Sequence, residues 1–143
     1  TNLVARDWQR LARFYEAVFG CLPIPPERDL SGKWLEEATG LPGAHLRGIH
    51  LRLPGHGPYG PTLEIFAYDQ EAEGLTPAAN RPGFSHIAFA VDDVGGALAA
   101  VQSAGGGAIG SQVTLAVSGA GRVEIVYASD PEGNIIELQK WSA

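Results

Sequence analysis

At 143 residues, 45% hydrophobic and 18% charged, the chain has the composition of one globular domain with enough apolar material for a true core. A formal charge of −6 argues against nucleic acid as a partner, because that binding rests on Lys and Arg neutralising phosphates. No apolar run approaches the roughly 20 residues of a membrane-spanning helix, and no basic-plus-apolar leader opens the given residues. The lone cysteine, Cys21, cannot form an internal disulfide, so a cytoplasmic protein is the simplest expectation. Cys21 itself reads as a small buried hydrophobe at a helix end rather than a nucleophile.

The chain opens at Thr1 without a methionine and already in strand-like sequence, so further residues are expected before it. Asp7 stands where a helix N-cap belongs, and Leu11, Phe14, Tyr15 and Val18 recur at helical spacing before Gly20. Pro23 to Gly43 reads as an insertion, with Trp34-Leu35-Glu36-Glu37 as a short helix that lines a pocket, covers a dimer contact or simply packs. Two strands are expected next, His45–Leu53 and Thr62–Tyr68, joined by a Gly/Pro-rich turn over Pro54–Pro61. Asp69 to Gly83 has the composition of a linker. A strand then runs from His86 to Val91, and Asp93 caps a helix whose apolar face is Val94, Ala97, Leu98 and Val101. Gly105–Gly107 supply its stop. The last strands are Gln112–Val117, Arg122–Ala128 and Asn134–Gln139, with turns at Ser118–Gly121 and Asp130–Gly133.

The chain repeats itself, and a repeat governs the fold. A shift of 86 residues lays Thr1–Gly20 over Ile87–Gly106, so that Leu3 meets Phe89, Asp7 meets Asp93 and Gly20 meets Gly106. Each copy reads strand, Asp, helix, Gly, then further strands. The expected organisation is one α+β domain over 1–143, built from two tandem βαβββ modules at 1–68 and 84–143 with a linker at 69–83.

Charged residues inside apolar strands carry the chemical information, since an unpaired buried charge is costly. Three stand out: Glu64 within Leu63-Glu64-Ile65-Phe66, His86 ahead of Ile87-Ala88-Phe89-Ala90-Val91, and Glu137 within Ile136-Glu137-Leu138. Strand alternation sends Ile87, Phe89 and Val91 toward the helix and leaves His86, Ala88 and Ala90 on the other face, a histidine among small residues. Singly, each has an ordinary reading, a strand Glu on a solvated face or a structural His. Together, oxygen and imidazole donors suit Zn, Mn, Fe, Co or Ni. His50 and Arg52 share a face open either to substrate or to solvent, and Asn2 joins them as a candidate substrate contact. His56 lies in a turn and is expected in solvent. No phosphate-binding loop or nucleophile elbow is present.

Leu3 to Gly20, Thr62 to Phe66, Phe84 to Asp93, and Asp130-Pro131-Glu132-Gly133-Asn134 running into Glu137-Leu138 resemble the vicinal-oxygen-chelate superfamily of glyoxalase, bleomycin-resistance and dioxygenase proteins. The resemblance implies a cupped, incompletely closed mixed β-sheet barrel with helices outside, around one small-molecule site. It implies Glu64, His86 and Glu137 as ligands of one divalent metal, with a fourth ligand position falling immediately before Thr1. It implies that Glu64 and Glu137 are catalytic carboxylates moving a proton next to a metal-chelated carbonyl, as in lyases, isomerases and epimerases. An extradiol-type dioxygenase, a glutathione-type transferase and a metal-free binding or resistance protein remain open on the same resemblance. So does a homodimer, the common state of small members.

Overall fold

The computed structural model describes residues 1–143. Asp7 lies between the first strand, β1 (Asn2–Val4), and the first helix, α1 (Trp8–Phe19), which it caps: its carboxylate accepts the Arg10 N–H at 2.9 Å. Gly20 closes α1 in the left-handed conformation (φ 68°), with its N–H donating to the Glu16 carbonyl. The next residue, Cys21, is fully buried, and burial followed by the nearby Glu16 charge pushes its thiol up to about 11. Such a thiol is packing material, as expected.

Contacts divide the chain into two compact units, Thr1–Gly74 and Leu75–Ala143, a division inside the expected linker. In the first, β2 (Leu22–Ser31), α2 (Lys33–Thr39), β3 (His45–Arg52) and β4 (Thr62–Tyr68) follow α1. The sheet order is β1-β4-β3-β2, with β1 parallel to β4 and the other pairs antiparallel. Helix α1 packs on β3 and β4, where Leu11 and Tyr15 join Leu51, Leu63 and Ile65 in a solvent-free core. Each buried aliphatic side chain of this kind contributes about 1.5–3 kcal/mol relative to its exposed state. Part of the opposite sheet face is covered by α2, whose Leu35 packs with Ala44, Leu46 and Phe66, while Trp34 stays exposed. Gly48 faces Phe66 across the ladder, and a Cβ there would run into the Ile65 carbonyl and the Phe66 ring.

The stretch read as an insertion is therefore corrected: Pro23 to Ser31 belong to β2, the strand that completes the module. Pro23, Pro25 and Pro26 hide it, because proline lacks the N–H that a ladder uses. The sheet accommodates them because β2 is an edge strand and its register slips between Ile24 and Arg28, around the second and third prolines.

The second unit contains β5 (His86–Ala90), α3 (Val94–Ser103), β6 (Gly107–Ala108), β7 (Val113–Val117), β8 (Gly121–Ser129) and β9 (Ile135–Ser142). Its order is β5-β9-β8, with β6 and β7 both paired to β8. Strand β5 runs parallel to β9 and aligns Ala88 with Glu137, where the first unit aligns Asn2 with Glu64. Asn2 and Ala88 are themselves 86 residues apart, so the repeat holds at the level of hydrogen-bond register. This is an α+β fold of two mixed-sheet modules. Two expectations need adjustment. Asp93 sits at the N-cap of α3 but makes no side-chain capping bond, and the two-residue β6 was not anticipated. In the Asp130–Gly133 turn the buried Asp130 accepts the N–H groups of Glu132 and Asn134 and the Asn134 side-chain amide, each at 2.9 Å. Those bonds fix the hairpin that delivers Glu137.

Candidate functional site

The two modules each place one glutamate in the middle of their last strand. In the first, Leu63 and Ile65 point into the core beneath α1, so alternation turns Glu64 to the opposite face. Its neighbours there are Asn2 of β1 and His50 of β3, both set by register. The His50 Nδ1 lies 3.7 Å from a Glu64 carboxylate oxygen, an ion-pair distance too long for a hydrogen bond. The His50 ring also meets Phe66 edge-on, with centroids 5.6 Å apart. Arg52 follows on the same strand face, and its Nε is buried with no hydrogen-bond partner. The Glu64 side chain remains 37% exposed.

In the second unit the corresponding carboxylate is more tightly held. Glu137 is only 12% exposed and flanked by the fully buried Ile136 and Leu138. His86, at the start of β5, brings its Nε2 to 3.2 Å from a Glu137 oxygen, while its Nδ1 lies 3.4 Å from the Ser85 hydroxyl. Ala88 and Ala90, the small residues expected beside His86, are exposed on that face. Tyr127 of β8 stands directly across the ladder from Glu137, and its ring meets His86 at 5.2 Å. Its interaction with the facing Glu137 carboxylate, followed by burial, raises the Tyr127 phenol above its ordinary range.

The expected residues thus fall into two sets within their own units, Asn2, His50, Arg52 and Glu64 in one, His86 and Glu137 in the other. Neither unit gathers three or more His, Cys, Asp or Glu side chains in a metal-holding group. The donors that are present fit a borderline divalent ion, since each glutamate oxygen faces an imidazole nitrogen. His56 lies exposed in its turn, as expected.

Sequence reading missed Tyr127, although a signal for it existed. Tyr127 and Glu137 stand at equal distances either side of Glu132, the centre of the Asp130–Asn134 turn, so hairpin counting alone pairs them. It also missed a polar cluster at the other end of the first sheet. There the His45 ring nitrogens meet Asp69 at 2.7 Å and Asp29 at 2.6 Å, and Arg47 also binds Asp69. Hydrogen bonds to Asp29 and then Asp69 hold His45 above its ordinary pKa, and the bond from His45 is the main cause that holds Asp69 below its own.

The family model described as Glyoxalase/Bleomycin resistance protein/Dioxygenase superfamily matches residues 1–138. The chain belongs to that superfamily. Among solved structures, a glyoxalase family protein from Bacillus cereus is similar, with 17% identity and a TM-score of 0.82 over 100% of this chain and 92% of the other. A glyoxalase family protein from Enterococcus faecalis shares 21% identity with a TM-score of 0.62, covering 97% and 93% of the two chains. A fosfomycin resistance protein, FosX, from Listeria monocytogenes, solved with Mn(II) and sulfate, gives 14% identity and a TM-score of 0.53 over 99% and 89%. These likenesses establish the fold. No curated protein matches the chain. No helix of this superfamily member is long and apolar enough to cross a membrane.

Proposed function

We propose that this protein is a glyoxalase-like metalloenzyme, a lyase, isomerase or epimerase that moves a proton next to a carbonyl of a small, oxygen-rich substrate. The observation that carries the reading is the placement of Glu64 and Glu137 at one position of the repeat, each beside an imidazole. By the family resemblance, the residues of this chain that would serve as metal ligands are Glu64 in the first unit and His86 with Glu137 in the second. A bound divalent metal there supplies Lewis-acid polarisation of the substrate oxygens.

The chain's own residues supply the remainder. The carboxylates of Glu64 and Glu137 are bases of suitable type for taking and returning a carbon-bound proton. Glu64 has the room to do so, given its exposure and its loose 3.7 Å approach to His50. Arg52 brings a cationic group whose Nε lacks a partner, suited to an anionic oxygen of the substrate. Asn2, in register with Glu64, offers an amide to the same ligand. Assembly as a homodimer in the cytoplasm completes the reading.

A metal-free binding protein of the bleomycin-resistance kind is the second reading, favoured by one feature: His86 and Glu137 already satisfy each other at 3.2 Å. Elemental analysis of wild type and His86→Ala separates the two. One metal per chain, lost in the variant, supports the enzyme. A wild type that stays metal-free after reconstitution with Zn, Mn, Fe, Co and Ni would sink it and leave the carboxylates as pocket lining.

A further inference from the structure

Strand alternation puts Arg47 of β3 and Ala67 of β4 on the sheet face that α1 covers, two residues along from the buried Ile49 and Ile65. Asp29 of β2 extends that row by register. Helix α1 begins at Trp8, and a cleft of about 350 Å³ opens between its first turn and the row. Three guanidinium groups line it, those of Arg6, Arg28 and Arg47, beside the largely buried Trp8. Three of the chain's ten Lys and Arg side chains thus share one cleft, although the formal charge is −6.

These arginines are held in place. Arg28 donates from Nη1 to the Pro26 carbonyl, Arg47 donates from Nη2 to Asp69, and the Arg6 Nε lies 3.6 Å from Glu71. A guanidinium carries five N–H donors in a fixed fork, so an arginine anchored by one bond still presents others. Two acids also line the cleft. Asp29 is engaged by the His45 Nε2 at 2.6 Å, which leaves Glu27 as the lining carboxylate without a partner.

We propose that this cleft binds a small molecule bearing an oxyanion, a carboxylate or a phosphate, gripped by Arg28 and Arg47 with Trp8 as the apolar wall. The planar guanidinium fork matches either anion bidentately. The volume falls near the lower end of the roughly 300–1,000 Å³ of small-molecule sites. The cleft lies on the sheet face opposite Glu64, and binding there needs neither a metal nor proton transfer.

The test is an NMR titration of the whole chain at constant ionic strength, with inorganic phosphate in one series and benzoate in the other. Saturable shifts are expected at the Trp8 indole and the Gln9, Arg28 and Arg47 amides in at least one series. The anion that saturates at the lower concentration identifies the ligand's charged group. Arg28→Gln and Arg47→Gln are each expected to weaken that binding by about tenfold or more. Glu27→Gln removes a like charge and is expected to tighten it. Arg28 is half-buried and Arg47 exposed, so both variants are expected to melt close to wild type. If Arg47→Gln melts early through loss of its bond to Asp69, Arg28→Gln decides alone. Absence of saturation in both series, shifts confined to other parts of the fold, or an affinity unchanged in a folded arginine variant overturns the proposal. Weaker binding in Glu27→Gln also overturns it, because the cleft would then be selecting a cation.

Discussion

Glu64 and Glu137 occupy the same place in two copies of one supersecondary plan, yet they live in different surroundings. Glu64 is 37% exposed and stands off from His50, while Glu137 is 12% exposed, paired with His86 and faced by Tyr127 across the ladder. The apolar side of the plan is the same in both, with Ile65 and Leu138 fully buried one residue beyond each glutamate. The repeat therefore preserves what packing requires and lets the polar face diverge. That is the pattern expected when a shared scaffold carries different duties on its two halves.

The largest effects test the shared side. Ile65→Ala and Leu138→Ala each remove a buried branched side chain beneath a helix, and each is expected to cost about 2–5 kcal/mol in urea unfolding. Similar losses support equivalent cores. A loss near zero in either variant would show that one module's core is not engaged as its burial indicates.

Next comes the divergent side. Glu137→Ala strands the His86 imidazole beside a largely buried position, an expected cost of about 1–3 kcal/mol. Glu64→Ala removes a loosely paired, well-exposed carboxylate, and less than about 1 kcal/mol is expected. Both are measured by urea unfolding with chelator present, so that no ion contributes. A reversed order would break the comparison between the two glutamates.

The helix starts sharpen it further. Asp7 accepts the Arg10 N–H, whereas Asp93 makes no capping bond at the equivalent place. Asp7→Ala is expected to cost about 1 kcal/mol, and Asp93→Ala less than about 0.5 kcal/mol, as for surface changes without a specific role. Equal costs, read from the same unfolding curves, would mean that Asp93 caps its helix in solution.

Features with a local cause were legible in the sequence. Alternation around Glu64, Glu137 and His86 announced polar groups on one strand face, and helical spacing with Gly20 bounded α1. What escaped depended on partners distant in sequence. Strand β2 was masked because its three prolines contradict strand propensity, and only its place at a sheet edge makes them tolerable. The capping failure at Asp93 is a matter of side-chain orientation that residue type does not encode. Tyr127 could have been found by counting outward from its turn. The His45 cluster could not, because Asp29 reaches it from the hidden strand.

That cluster also distinguishes the modules, and it gives the smallest expected effect. Arg122, five residues before Tyr127 as His45 is five before His50, lies across from Ser142, so no histidine–aspartate pair stands at that place of the second module's ladder. In the first, both imidazole nitrogens face carboxylates, which favours the doubly protonated ring. Because the folded pKa of His45 is raised, its contribution to stability is fully present below the unfolded value. It fades as pH rises through the folded one. Asp69 acts at the other limit: its pKa is lowered, so its contribution is present above the unfolded value and lost as pH falls through the folded one. The group is exposed, and solvent screening keeps the change small. Histidine NMR titration should place His45 above the free imidazole. Asp29→Asn should return it further toward the ordinary value than Asp69→Asn, since Asp29 is the larger cause. A His45 that titrates normally in wild type would mean that the double contact does not persist in solution and that edge strand β2 is held by its backbone ladder and the packing of Leu30 without it.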